Sequence, residues 1–130
     1  MTPPPPRILV VDDEPHILRL IQVSLERYGF VVETAGNGPE ALTSLRAHRP
    51  DVLVSDVMMP EMDGYELLAN VRRDPSLADL PIILMGVFTS NGFDYETAAL
   101  LTKPFHPYEL VTKIRRFMGF PESERPVPAH

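Results

Sequence analysis

The sequence predicts a doubly wound α/β fold, in which a parallel sheet carries helices on both faces. Three observations predict it. Short apolar runs alternate with amphipathic segments five times along the chain, the pattern of strands joined by right-handed helical crossovers. The runs are apolar throughout rather than alternating, as expected of strands buried on both faces. Charged residues stand at their ends, with Asp12-Asp13-Glu14 after the first, Asp56 after the third and Lys103 after the fifth. In open α/β sheets ligands bind beyond the carboxyl ends of the strands.

Each element has its own justification. Ile8 to Val11 is the first strand, and Pro15 suits the first turn of a helix because its missing N–H is not needed there. Ile17, Leu18, Ile21, Leu25 and Tyr28 follow at helical spacing, and Gly29 supplies the stop. Phe30 to Thr34 is the second strand. Asn37-Gly-Pro-Glu40 opens a helix that turns Ala41, Leu42 and Leu45 inward, and Val52 to Ser55 is the third strand. Asp63, with Glu66 three residues later, predicts a capping box for a helix that buries Leu67, Leu68 and Val71. Ile82 to Met85 is the fourth strand and Ala98 to Thr102 the fifth. Between them, Gly86, Gly92 and the hydroxyls of Thr89, Ser90 and Thr97 leave room for only a short helix. Pro107 starts a last helix that turns Leu110, Val111, Ile114, Phe117 and Met118 inward and ends at Gly119.

Composition bounds the function. A chain of 130 residues with 44% apolar and 23% charged residues suits one folded domain with a real core. Seven of its 15 prolines lie at the ends, so residues 1–6 read as a Pro-rich disordered tail, 7–119 as the domain and 120–130 as a flexible tail. A net charge of −6 argues against non-specific binding to nucleic acid. The absence of cysteine excludes disulfides and thiolate metal sites. No run is long enough to span a membrane and the N-terminus lacks a signal-peptide core, so a cytoplasmic location is expected.

The strand-end charges define a chemistry. Asp12, Asp13 and Asp56 gathered at one sheet edge repel one another unless a cation intervenes. Mg²⁺ suits them, because it takes one or two carboxylates and keeps water positions for a phosphate. A carboxylate can act as a nucleophile toward phosphorus, and a lysine such as Lys103 serves as a point charge for a phosphate oxygen. Taken singly, an acid after a strand is more often a cap or a solvated residue, and Asp63 reads as a cap. Met58, Met59 and Met62 suit either a contact surface or loop packing. The four histidines show no paired metal-ligand spacing. Lys113, Arg115 and Arg116 complement the dipole of the last helix and face solvent.

Three motifs, Ile-Leu-Val-Val-Asp12-Asp13-Glu-Pro, Asp56-Val-Met-Met-Pro60-Glu-Met-Asp63-Gly64 and Lys103-Pro104-Phe105, resemble those of the response-regulator receiver domains of two-component signalling, over about Arg7 to Gly119. The resemblance implies a flavodoxin-like sheet of order 2-1-3-4-5 with five helices. It implies that Asp56 accepts a phosphoryl group from a histidine kinase or phosphotransfer protein. Asp13, Asp56 and the Met58 carbonyl would bind Mg²⁺, Asp12 would act through water, and Lys103 would contact the phosphoryl group. The Lys103-Pro104 bond would be cis. Two positions depart from the family. Gly86 stands where a Thr or Ser hydroxyl ends the fourth strand, and Leu100 where Tyr or Phe is common. The stretch between Gly86 and Lys103 is several residues shorter than usual, so the fourth helix is expected to be short, displaced or missing.

Three functions compete. The leading one is a single-domain response regulator that takes a phosphoryl group on Asp56 and signals to a downstream protein or passes the group on. The second is a phosphorylation-independent interaction module or homodimer, motivated by Gly86, Leu100 and the shortened stretch. The third, a metal-dependent phosphohydrolase, lacks a clear acid–base residue near Asp56. Bulky Met58 and Phe88 hinder an attacking water, so the chain is expected to be no enzyme beyond slow autodephosphorylation.

Overall fold

Five parallel strands in the order β2-β1-β3-β4-β5 form the sheet, in a computed structural model that describes residues 4–88 and 98–119. The strands are β1 (Arg7–Val11), β2 (Val31–Ala35), β3 (Val52–Asp56), β4 (Ile82–Gly86) and β5 (Ala99–Thr102). The helices among the described residues are α1 (Pro15–Arg27), α2 (Gly38–Ala47), α3 (Gly64–Arg73) and α4 (Pro107–Phe117). This is the flavodoxin-like arrangement. Residues 89–97, where a short, displaced or missing helix is expected, lie outside the described residues, as do the tail segments 1–3 and 120–130. None of the described helices is long and apolar enough to cross a membrane.

The strand bounds shift from expectation by a residue at a time. β1 begins at Arg7, β2 moves to Val31–Ala35, and β5 begins at Ala99. β3 and β4 each run one residue further, so that Asp56 and Gly86 belong to the sheet and pair with Met85 and Thr102.

Side chains alternate across the sheet and build two cores. Leu9, Val11, Leu53, Ile82 and Leu84 pack against α2 and α3 through Ala41, Leu42, Leu45, Leu67, Leu68 and Val71. Ile8, Val10, Val52, Val54, Ile83 and Met85 pack against α1 and α4 through Ile21, Leu25, Leu110, Val111 and Ile114. β3 and β4 are buried at every position, and fully burying each Val, Leu or Ile side chain is worth roughly 1.5–3 kcal/mol. Phe117, expected to face inward, is 41% exposed. Arg115, expected in solvent, is half-buried with its guanidinium 5.9 Å from the centre of the Phe30 ring.

The helix ends follow local chemistry. Gly29 takes a left-handed φ of 91° just past α1, a conformation that suits glycine. The Asn37 side chain accepts from the Glu40 N–H at 2.8 Å and caps α2, and Asp63 does the same for the Glu66 N–H of α3 at 2.8 Å. The reciprocal capping box occurs on α4. There, His106 Nδ1 accepts from the Tyr108 N–H at 3.0 Å, and the Glu109 carboxylate accepts from the His106 N–H at 3.3 Å.

Candidate functional site at the carboxyl edge of the sheet

β1, β3 and β5 end side by side with β4, so their charged residues converge without help from a long loop. One carboxylate oxygen from each of Asp12, Asp13 and Asp56 lies within 4.8 Å of the others. Asp12 and Asp56 are buried, at 1% and 6% exposure, whereas Asp13 faces solvent. The Lys103 ammonium donates to Asp56 Oδ1 at 3.1 Å and stands 3.6 Å from Asp12 Oδ2. The Lys103–Pro104 bond is cis.

Two buried carboxylates facing each other need compensation. Asp12 Oδ1 accepts from the Glu14 N–H at 2.9 Å, a local Asx turn formed where the chain leaves β1. Asp12 Oδ2 is buried and has no hydrogen-bond partner. Burial pushes the Asp12 carboxyl above its ordinary value. The Glu14 N–H opposes this, and the charge of Asp56 adds to it. Burial alone would lower the Lys103 ammonium, but the hydrogen bond and charge of Asp56, with Asp12 behind it, outweigh this and raise it. A cluster of hard oxygen donors with an unsatisfied buried oxygen fits a divalent cation.

The loop after Asp56 is held close. The Gly64 N–H donates to the Val57 carbonyl at 2.9 Å, and a Cβ at Gly64 would fall 2.5 Å from the Asp56 carbonyl oxygen and 2.9 Å from Val57 Cα. Only glycine allows that approach. In the same loop Glu61 adopts a left-handed φ of 68°. The methionines separate: Met58 is 76% exposed, Met59 is 8% exposed, and Met62 is half-buried. Asp63 sits on α3 as its cap.

Gly86 ends β4 beside Asp56. A Cβ there would meet Val57 Cβ and Cγ2 at 3.3 Å and the Phe88 ring at 3.7 Å. Phe88 and Leu100 are both partly buried against the α2/α3 core. A groove of about 610 Å³ opens on the other face, lined by Lys103 together with Ile17, Leu20, Ile21, Phe105 and Leu110. Sequence reasoning missed the groove, the Glu14 N–H on Asp12 and the Val57 contact. Only the second left a signal, the Asp-Asp-Glu-Pro run.

The response regulator receiver domain family model matches residues 8–115. An uncharacterised 14.6 kDa protein of Leptolyngbya boryana is 41% identical over 122 residues, which cover 88% of this chain and 92% of that one. The response regulator Rre1 of Synechocystis is 38% identical over 121 residues, 88% of this chain and 52% of its own length. The chain thus spans about half the length of several curated relatives it matches, Rre1 and the DNA-binding regulator RpaA of Synechocystis among them. Among solved structures, the chemotaxis protein CheY4 of Vibrio cholerae is similar with a TM-score of 0.79 at 34% identity, over 87% of this chain and 98% of that one. The receiver domain of the Francisella response regulator 1452 reaches 0.80 at 31% identity, over 88% of this chain and 97% of that one.

Proposed function

This chain belongs to the receiver domain family of two-component response regulators, and from that premise we propose that Asp56 is its phosphoacceptor, charged by the phosphohistidine of a kinase or phosphotransfer protein. The observation that carries the reading is the Lys103 ammonium between Asp56 and Asp12, with three carboxylates converging within 4.8 Å. Receiver domains are signalling phosphoacceptors, and a buried carboxylate beside a fixed cation is suited to that task.

An Asp56 oxygen attacks phosphorus, a P–O bond forms, and the P–N bond to the donor imidazole breaks. The electron pair leaves with the imidazole nitrogen, which takes up a proton. Lys103 neutralises charge on the transferred group, as a mobile ammonium does at phosphates. Asp13, Asp56 and the Met58 carbonyl would hold Mg²⁺, with Asp12 acting through water, and the ion would offset the negative charge of the acids and the phosphoryl oxygens. The apolar groove suits a histidine-bearing helix of the donor, because Lys103, which helps to line it, also bonds Asp56. Exposed Met58 and half-buried Phe88 hinder water, so hydrolysis of the aspartyl phosphate is slow. The output is contact with a downstream protein, or onward transfer, in the cytoplasm.

Incubation with Mg²⁺ and a small phosphodonor tests this. The intact wild-type chain should gain the mass of one phosphoryl group and Asp56→Asn should gain none; a wild-type chain that gains none sinks the reading. The packing of Val57 and Phe88 about Gly86 favours a second reading, in which partner binding or homodimerisation ignores phosphate. A strong change in partner binding on adding beryllofluoride would rule that second reading out.

A further inference from the structure

We propose that Ser55 is a positioning residue for the phosphoacceptor, acting through the main-chain carbonyl of Asp56. The inference rests on the phosphoacceptor reading and deepens it.

Ser55 is 1% exposed, and together with Asp12 and Asp56 it makes up the buried polar and charged residues among the described ones. A buried hydroxyl without a partner is costly, and this one donates to the Asp56 carbonyl at 2.9 Å. That carbonyl stands in an unusual place. Successive residues of a strand in a parallel sheet direct their backbone groups to opposite neighbours. The N–H groups of Leu53 and Val57 donate toward β4, to Pro81 at 3.0 Å and Met85 at 2.9 Å. The backbone groups of Asp56 therefore face β1. The last residue pair of β1 and β3 is Val11 with Ser55, so Asp56 lies one residue past that ladder. The Ser55 hydroxyl supplies to the Asp56 carbonyl the hydrogen bond that another β1 residue would otherwise give.

The peptide between Asp56 and Val57 is thereby held from three sides. Ser55 Oγ holds its oxygen, Met85 holds its N–H, and Gly64 packs so closely that a Cβ would lie 2.5 Å from the oxygen. This peptide begins at the Asp56 carbonyl carbon, so holding it restrains the backbone that carries the carboxylate, one oxygen of which meets Lys103 at 3.1 Å. It also starts the two residues leading to the Met58 carbonyl. By strand alternation Ser55 faces α3 while Asp56 faces the opposite core, so the hydroxyl orients the carboxylate without touching it.

The test uses the full chain with saturating Mg²⁺ and a small phosphoramidate donor, follows phosphorylation of Asp56 by intact mass, and records Tm in parallel. A misplacement of 1 Å can cost about 10²-fold in rate, so the smaller shift expected in Ser55→Ala should slow phosphorylation about tenfold. Ser55→Thr, which keeps the hydroxyl, should restore the rate to within about twofold. A purely structural role would lower Tm without changing the rate well below Tm. Folded Ser55→Ala that reacts at the wild-type rate overturns the proposal, and so does Ser55→Thr as slow as Ser55→Ala. Should Ser55→Ala fail to fold, Ser55→Cys carries the same comparison, with similar volume and a weaker donor. A wild-type chain that takes no phosphoryl group defeats the functional reading itself, and that outcome is distinct from a reactive wild type matched by its Ser55 variant.

Discussion

The Lys103 ammonium reaches Asp56 Oδ1 at 3.1 Å from the far end of β5, 47 residues away in sequence. It is the cation that the described structure sets between two buried carboxylates, Asp12 and Asp56. Removing its charge leaves them facing each other.

Lys103→Met keeps the length of the side chain and deletes the charge. It should lower the stability of the metal-free chain by roughly 1–2 kcal/mol, a figure reduced from that of a fully buried pair because Lys103 is partly exposed. Phosphorylation should slow by about tenfold or more. Denaturant melts in EDTA and intact-mass kinetics read the two effects. The raised Lys103 value also sets an alkaline limit: its contribution is complete below pH 10.5 and is lost as pH rises through the folded value.

Asp12 depends on pH with the same sign, in a window that begins at 3.8. Its carboxyl is raised above 3.8, chiefly by burial, so the folded chain holds this proton more tightly than the unfolded chain. Between 3.8 and the raised value, stability from Asp12 therefore increases as pH falls. In metal-free buffer the Tm of Asp12→Asn should exceed that of wild type near neutral pH, and the difference should close on acidification; saturating Mg²⁺ should abolish it. Below 3.8 the Asp12 contribution is complete and no longer changes. Asp74, lowered by its Ser76 hydrogen bonds, and Asp79, lowered by Arg49, lose stabilisation there as they protonate.

Gly86→Thr tests the packing at the end of β4. Its Cβ would crowd Val57 at 3.3 Å, and Val57 is 5% exposed and fixed in the core. Overpacking of this kind should cost roughly 1–2 kcal/mol in chemical denaturation. Val57→Ala in the same chain should recover part of the loss, and a double-mutant cycle would report the coupling directly. An additive pair would show that Val57 is not the obstacle.

Asp63→Ala separates a cap from a ligand. Loss of its bond to the Glu66 N–H should cost about 1 kcal/mol of stability. The phosphorylation rate at saturating Mg²⁺ should be unchanged. A variant stable as wild type but slow to phosphorylate would reverse the assignment.

Gly64→Ala should be harsher, because the added methyl meets backbone rather than a movable side chain, with the Asp56 oxygen at 2.5 Å. A loss of about 2 kcal/mol or more is expected by thermal or denaturant melts.

The strands and the acid–lysine cluster were legible because their physics is local. Val52 to Val54 and Ile82 to Met85 are apolar without interruption, as burial on both faces requires, and position at strand ends gathers Asp12, Asp56 and Lys103. The strand limits were less legible. Asp56 and Gly86 extend the sheet because their neighbours continue the ladder, and pairing of that kind is not written in either residue. His106 as a cap was hidden for a similar reason, since an imidazole accepts at a helix start only in the tautomer and rotamer its surroundings select. The roles of Val57 and Ser55 depend on which residue stands opposite, and spacing along one strand does not report that.

Edge position gives β5 a consequence of its own. It is four residues long and pairs on one side alone within the described sheet, with β4. A strand so placed is among the first to detach in local opening, and Lys103 follows it by one residue. A phosphoryl group on Asp56 that binds the Lys103 ammonium would act as a clasp on this margin. Amide exchange at Leu101 and at Lys103, whose N–H donates to the Gly86 carbonyl at 2.8 Å, would then slow on phosphorylation, and the lifetime of the signal could be read as the time the margin stays closed.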